Sequence, residues 1–259
     1  MPLEIKIILS LIAIFFAAAA PAAWSEEGKT FETRYYCNGL DGARRWEAVT
    51  RITAQARGGK GHYRLIEEGR GRYSPFNVPV SWTAEVEFIS NADTITPIAL
   101  EKTVLSGDGK VLYHEDQRFD SDKKTVTCEI TGAGAPRTKT FAYKGEVTNY
   151  LLLGLFTQKF LERGIKERTF YLVSGEPSLY QVTAKVLGEE EIDINGVSVR
   201  SYKIYLDPDM GILSPLEVIA PKAYVWHSSR PKFEWLRYRG VESAPLSPRV
   251  EMITMEIKK

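Results

Sequence analysis

Histidines, the side chains that most often bind metals or transfer protons, are scattered through this sequence. Only three are present, His62, His114 and His227. Metal sites usually place their ligands at short spacings such as H-x-H or H-E-x-x-H, and none of the three lies in such a pattern. The sequence therefore predicts no metal site, and the histidines are interpreted as isolated surface residues or hydrogen-bonded core residues.

Motifs for nucleophilic catalysis and nucleotide binding are absent from the sequence as well. It contains no G-x-S-x-G elbow, no P-loop and no dinucleotide-binding glycine motif. Gly69-Arg70-Gly71 is typical of a turn, and Asp207-Pro208-Asp209 lacks the twelve-residue loop of a calcium site. We therefore expect no cofactor and no enzymatic activity. A hydrolase whose carboxylates come from separate strands stays open, because it would leave no local motif.

An aromatic and basic segment near the C-terminus is the candidate binding surface. Trp226, Phe233, Trp235 and Tyr238 are interspersed there with arginine and lysine residues. Such a segment could stack on the bases of single-stranded nucleic acid or on a sugar. It also fits two antiparallel strands with inward aromatic side chains, since Phe233 and Trp235 share one face. We favour the second interpretation, with these four residues lining an apolar ligand pocket, and expect no nucleic-acid partner.

Residues 1–25 have the features of a signal peptide. The apolar run Ile7–Ala20 has the length of a signal-peptide core and is short for a membrane span. Ala23-Trp24-Ser25 offers a cleavage site before Glu26, and Ala20-Pro21-Ala22 is the alternative. Cleavage would leave no transmembrane segment, whereas an uncleaved N-terminal anchor is the other interpretation. The expected location is the periplasm of a Gram-negative bacterium.

The two cysteines, Cys37 and Cys128, are far apart in the sequence. In an exported protein an even cysteine count favours a disulfide. Closing so long a loop would stabilise the fold by about 4 kcal/mol in the chain-entropy model. We therefore predict a Cys37–Cys128 disulfide, with two buried free thiols as the alternative.

Alternating apolar and polar residues predict a mainly β protein. In Trp82–Ile89 every second residue is apolar, which is typical of a half-buried strand. The Asn195-Gly196 pair predicts a type I′ hairpin turn, and a slip in the alternation between Val199 and Tyr202 indicates a bulge in its second arm. The predicted strands are Phe31–Cys37, Trp46–Ala54, His62–Ile66, Trp82–Ile89, Ile98–Leu105, Lys110–Tyr113, His114–Phe119, Thr125–Ile130, Phe170–Val173, Tyr180–Leu187, Val197–Leu206, Tyr224–Trp226, Phe233–Tyr238 and Val250–Ile257.

One segment, Asn149–Arg163, has the spacing of an amphipathic helix that packs on a sheet. Thr148 or Asn149 could cap its start, and Gly164 could close its end. The predicted fold is a large curled antiparallel sheet or incomplete β-barrel with this helix packed on it. Residues 26–259 would form a single domain, and two halves meeting near residues 132–148 are the alternative.

The order of elements after the helix resembles an uncharacterised family of exported bacterial proteins. The resemblance rests on the helix, Phe170–Val173, the strand Val182–Glu191, the hairpin Ile194–Leu206 and the element Trp226-His227-Ser228-Ser229-Arg230-Pro231. That family is grouped by likeness with the periplasmic lipoprotein-localisation carriers. The resemblance implies an incomplete β-barrel covered by helices, with acyl chains held in an apolar hollow, and it supplies no catalytic residues.

These observations favour a non-catalytic periplasmic protein that binds an apolar or amphipathic, lipid-like ligand in the hollow of a curled sheet. The formal net charge of the 259 residues is +1, so bulk charge attracts neither nucleic acid nor an anionic membrane. Function must therefore lie in a local surface. An envelope structural or assembly protein with a protein partner is the first alternative, and a hydrolase with a dispersed site is the second.

Overall fold

Fifteen β-strands and one α-helix make up the part of the chain that the structure describes. This computed structural model describes residues 30–257 except 56–60, 75, 77, 133–134, 176, 210–221 and 243–246, so the predicted signal peptide lies outside the described residues. The elements are β1 Thr30–Gly39, β2 Arg44–Ala54, β3 His62–Gly71, β4 Val80–Ser90, β5 Ile95–Ser106, β6 Val111–Asp120, β7 Thr125–Thr131, β8 Arg137–Ala142, β9 Val147–Asn149, α1 Leu153–Glu162, β10 Glu167–Val173, β11 Leu179–Ile194, β12 Val197–Pro208, β13 Ala223–Ser228, β14 Trp235–Val241 and β15 Arg249–Thr254.

The strands form a single sheet that runs in the order β8-β7-β6-β5-β4-β3-β2-β1-β15-β14-β13-β12-β11-β10-β9. Neighbours are antiparallel except β9 and β10, which are parallel. The first and last of the described strands, β1 and β15, pair with each other, through positions such as Tyr36 and Ile253. Because β8 and β9 are the two ends of this order, the sheet does not close. The predicted mainly β fold, a curled sheet or incomplete barrel, is confirmed.

Contacts between the two ends of the strand order show that the sheet curls. Val126 and Cys128 on β7 share a hydrophobic cluster with Val147 on β9 and Val173 on β10. Nearby, Lys139 Nζ on β8 donates to the backbone carbonyl of Pro177, between β10 and β11, at 3.1 Å. Side-chain packing thus brings the open ends together without a hydrogen-bonded ladder.

Helix α1 lies in the concave space of the curled sheet. Its apolar side chains, Phe156 and Phe160 among them, belong to a core cluster with strands from both halves of the sheet. The strand residues in that cluster are Ile52, Leu65, Val86, Phe88, Ile95, Leu100, Phe170, Val182, Ala184, Ile204, Leu206 and Val225. The described interior is therefore occupied by a helix that contacts the sheet on several sides.

The helix was predicted over 149–163 and begins four residues later, at Leu153. Asn149 belongs to β9, and its side-chain Oδ1 accepts the N–H of Leu152 at 3.0 Å, so it caps the turn before the helix. The predicted role of Gly164 is confirmed: it has a φ of +67° and donates to the Leu161 carbonyl at 3.0 Å.

The hairpin predicted at Asn195-Gly196 is present, with both residues at positive φ. The bulge predicted between Val199 and Tyr202 is wrong: β12 pairs regularly there, and the register shift falls between Val186 and Gly188 on β11. The glycine permits the φ of +126° that this irregularity requires. The alternation changes phase in β12 because the strand is covered on both faces: Val199 packs with Trp226, whereas Ile204 belongs to the core cluster around α1.

The predicted disulfide is not formed. Cys37 and Cys128 are both buried free thiols. Cys37 on β1 packs with Trp46 and Trp82, whereas Cys128 on β7 packs with Val126 and Val173. Five strands separate β1 from β7 in the sheet, so the two thiols belong to different clusters. Burial raises the pKa of both, that of Cys128 to about 12.

Candidate functional site

The four aromatic residues predicted to bind a ligand do not form one surface. Trp226 follows Val225 on β13, so their side chains point to opposite faces of the sheet. Val225 belongs to the core cluster around α1, whereas Trp226 packs with Ile192 and Val199 of the β11–β12 hairpin. The Trp226 indole donates to the Glu190 carboxylate of the hairpin at 2.6 Å, and Trp226 is only 4% exposed. It is therefore held under the hairpin.

The other three predicted residues, Phe233, Trp235 and Tyr238, are partly buried against the core cluster. The Trp235 ring covers Gly154 of α1, where an added Cβ would lie 3.2 Å from it. Tyr238 donates its hydroxyl to the Val241 carbonyl at 3.0 Å. Helix α1 therefore occupies the space beside these side chains that a ligand would have to fill.

The three histidines are far apart in the structure. His227 is buried beside α1, where Nε2 lies 2.8 Å from Thr157 Oγ1 and Nδ1 lies 2.8 Å from the Phe233 carbonyl. Burial lowers the pKa of His227 to about 4, so the ring is neutral, donates from Nδ1 and accepts at Nε2. His114 contacts Thr103 at 3.0 Å. Among the described residues, no three His, Cys, Asp or Glu side chains are grouped to hold a metal ion.

The barrel interior contains a row of charged residues that the sequence did not predict. In the sheet register Glu67 pairs with Ala84, Ala84 with Lys102, and Lys102 with Glu115. All three charged side chains are at most 6% exposed. Because directly paired residues project to the same face, β3 to β6 align them across the inside of the sheet. We call Glu67, Lys102 and Glu115 the polar row.

Aromatic rings surround the cation of the polar row. Lys102 Nζ lies 4.3 Å from the Tyr73 ring centroid, 5.2 Å from that of Tyr150 and 5.8 Å from that of Trp82, in cation–π range. It also donates to the Tyr73 hydroxyl at 3.2 Å. Burial lowers the pKa of Lys102, but attraction to Tyr73 and Glu67 outweighs burial and leaves the pKa raised. The ammonium is therefore charged.

The two carboxylates of the row have different surroundings. Glu67 accepts hydrogen bonds from the Tyr35 hydroxyl and from the Trp82 indole, the latter at 2.8 Å. Glu115 accepts from Gln117 and from the Tyr113 hydroxyl, the latter at 3.1 Å. Burial raises the pKa of Glu115 to about 7, although these hydrogen bonds and Lys102 act in the opposite direction. A perturbed carboxyl often marks a functional site, but this row is buried.

An open cavity of about 350 Å³ lies at one end of the barrel. We call it the arginine pocket, because four of its nine lining residues are arginines. The β1–β2 turn forms one wall and is held by a hydrogen bond of 2.9 Å from the Gly39 N–H to the Ala43 carbonyl. Gly71 lies so close to β2 that a Cβ added to it would clash with the backbone of β2. The lining residues are Gly39, Leu40, Asp41, Ala43, Arg44, Arg45, Arg72, Pro248 and Arg249.

The pocket arginines differ in how far they are neutralised. Arg45 donates to both carboxylate oxygens of the buried Glu242, each at 3.0 Å. Arg44 stacks on the Tyr36 ring at 3.8 Å. Within the described ranges, Arg44, Arg72 and Arg249 form no salt bridge. Three guanidinium groups therefore give the pocket a positive potential, against the single carboxylate of Asp41.

Local sequence signals were available for the polar row but hardly for the pocket. Lys102 stands between Leu100 and Val104 at the inward phase of an alternating strand, which marks it as a charged residue facing a core. The pocket arginines come from three separate segments. They meet only because the β1–β2 turn, the end of β3 and the start of β15 share one end of the sheet.

No protein-family model and no curated protein matches the sequence. Two solved structures resemble the chain in shape. A β-barrel-like protein of the domain of unknown function DUF1849 from Brucella abortus has a TM-score of 0.48 at 7% identity, over 90% of this chain and 98% of that one. A protein with a YmcC-like fold from Bacteroides fragilis, assigned to the exported proteins, has a TM-score of 0.33 at 10% identity, over 91% and 97%.

At these values the two similarities establish neither a family nor a function for this chain. The relationship to lipoprotein-localisation carriers stays a prediction. Among the described residues there is also no helix with the length and apolarity needed to cross a membrane.

Proposed function

We propose that this chain is an exported, non-catalytic binding protein whose arginine pocket takes the anionic group, a phosphate or a carboxylate, of its ligand. The observation that carries the proposal is an open cavity of about 350 Å³ beside three arginines that form no salt bridge with described residues. Guanidinium groups bind such anions through paired, charge-assisted hydrogen bonds.

The pocket supports the proposal better than the hollow of the sheet does. Helix α1 fills the concave space with Phe156 and Phe160, which are each 1% exposed. The carboxyl of Glu115, whose pKa burial raises to about 7, is fully buried, which argues against a hydrolytic role. A lipid-like ligand remains compatible with the pocket if the anionic headgroup, rather than the acyl chain, is what the protein recognises.

The geometry of the pocket favours a small anion or a headgroup over a large apolar ligand. Arg45 is fixed by Glu242, and Trp46 and the Ser74 N–H also donate to that carboxylate, at 2.6 and 2.8 Å. Glu242 is thus satisfied from three sides and holds the pocket floor in place. Arg72 and Arg249 are exposed at the mouth of the pocket, where their guanidinium groups can contact an anion.

Calorimetric titration with inorganic phosphate and with glycerol 3-phosphate tests the proposal. We expect saturable binding that weakens with added salt, and a loss of roughly fivefold or more in affinity for Arg72→Gln and for Arg249→Gln. Arg118→Gln is the matched control, because Arg118 is exposed on β6, outside the pocket, and paired with Asp116. Absence of saturable binding, or an equal loss in the control, would overturn the proposal.

A further inference from the structure

The end of the barrel that holds the arginine pocket also carries exposed apolar side chains. In an antiparallel sheet alternate connections lie at the same end. The β1–β2 turn, the β3–β4 loop and the β5–β6 turn therefore form one rim. Leu40 and Val78 lie on the first two connections, and Val111 is the first residue of β6, directly after the third. They are 47%, 48% and 46% exposed.

The strongly exposed apolar residues are unevenly distributed over the described part of the molecule. Five large apolar residues are strongly exposed there, and the other two, Leu187 and Val197, lie on the β11–β12 hairpin. Isolated exposed apolar residues are ordinary. Three of them on a rim that also presents arginines make an amphipathic surface, and Leu40 itself lines the pocket.

The charge on the rim favours an anionic partner. Arg44, Arg72 and Arg249 are exposed beside the pocket, and Lys110 is exposed in the β5–β6 turn. Two carboxylates share the rim, but both are engaged locally. Asp41 accepts the Ala43 N–H at 3.1 Å, and Asp108 accepts the Ser106 hydroxyl.

We propose that this rim docks on the surface of an anionic lipid bilayer, with a phospholipid phosphate in the arginine pocket and Leu40, Val78 and Val111 inserted among the lipids. The inference rests on the proposed function and names the source of the anion. A free phosphate would use the arginines alone, whereas a bilayer also buries the apolar side chains around them. Apolar burial together with cationic attraction is what holds peripheral proteins at lipid interfaces.

Vesicle co-sedimentation tests the inference with the full chain. The vesicles are phosphatidylglycerol mixed with phosphatidylcholine, and pure phosphatidylcholine is the neutral comparison. The rim variant is Val78→Ser and Val111→Ser together, because these two apolar rim residues do not line the arginine pocket. Leu187→Ser with Val197→Ser is the matched control, because it makes the same change at exposed positions away from the rim. Circular dichroism and thermal melting verify that both variants fold.

We expect the wild type and the control to sediment with the anionic vesicles and not with the neutral ones. The rim variant should lose at least about tenfold in partitioning while its calorimetric binding of inorganic phosphate stays unchanged. Phosphate binding without vesicle binding, or an equal loss in the rim and control variants, would overturn this inference and leave the proposed function standing. Vesicle binding that survives Arg72→Gln without any loss would overturn the headgroup site.

Discussion

Replacing Glu115 by glutamine should change how the stability of the fold depends on pH. In the native state burial raises the pKa of Glu115 from an ordinary 4.5 to about 7. The protonated acid is therefore preferred in the folded protein. The resulting stability is fully present below about pH 4.5 and is lost as the pH rises through about 7. Glutamine is neutral at every pH and avoids this loss.

The magnitude follows from the distance between the two pKa values. At about 1.4 kcal/mol for each pH unit, the rise from 4.5 to about 7 costs the native state about 3 kcal/mol at alkaline pH. Gln117 can accommodate the substitution, because its Oε1 has no hydrogen-bond partner among the described residues and an amide flip would present it to the new N–H. The remaining amide oxygen still accepts from the Tyr113 hydroxyl, and about 3 kcal/mol is an upper value because a neutral amide is a weaker acceptor than the carboxylate it replaces.

His227 acts in the opposite direction over nearly the same pH range. Its pKa is lowered from 6.5 to about 4, so the neutral ring is preferred in the folded protein. This contribution is present above about pH 6.5 and is lost as the pH falls through about 4. In the wild type the two contributions, each about 3 kcal/mol, largely cancel. Glu115→Gln should therefore reveal the acid sensitivity that comes from His227.

Urea denaturation at about pH 4.5 and about pH 8 measures this effect. The variant should be more stable than the wild type by up to about 3 kcal/mol at the higher pH and nearly equal to it at the lower. Glu129→Gln, the same change at an exposed position on β7, is the control and should shift neither value. If Glu115→Gln and the wild type differ by the same amount at both pH values, the assigned burial of this carboxyl is wrong.

Two further predictions follow from the packing. Gly69→Ala should cost about 2 kcal/mol of unfolding free energy, because the new methyl group would overlap the Trp82 ring. Gly107→Ala is the control and should not destabilise the fold, because no atom lies within 4 Å of the added Cβ. Equal losses in the two variants would contradict this prediction. Cys37 and Cys128 should react with iodoacetamide only after unfolding, since both thiols are buried and their pKa values are raised. A chain that takes up no label when unfolded without reductant would instead carry the disulfide.

The sequence was informative wherever structure depends on near neighbours. The alternation in Trp82–Ile89 identified β4, and the spacing in Asn149–Arg163 identified α1. The same helical pattern could not reveal that α1 lies inside the curled sheet. Two of its polar residues are also buried, Thr157 against His227 and Lys159 in an ion pair of 3.0 Å with Glu162. An amphipathic pattern shows which face is apolar and not how many sides will be covered.

The polar row and the arginine pocket depend on register and topology, which single-sequence patterns do not contain. Glu67 meets Lys102 across the sheet only because Ala84 stands between them, and a slip of one residue in β4 would turn these side chains to the outer face. The predicted disulfide between the two cysteines was wrong for a related reason. An even count favours pairing, but the strand order places them in separate clusters.

The polar row also explains why binding is better sought at the rim than inside. A charged lysine enclosed by Tyr73, Tyr150 and Trp82 is stable in the core only with carboxylates close by. Opening the interior to admit an acyl chain would separate Lys102 from Glu67 and from Glu115 and leave buried charges uncompensated. A ligand at the arginine pocket avoids that cost, because its own anion compensates arginines that are already at the surface. Occupation of the pocket should therefore leave the titration of Glu115 unchanged, whereas an acyl chain inside the barrel would shift it.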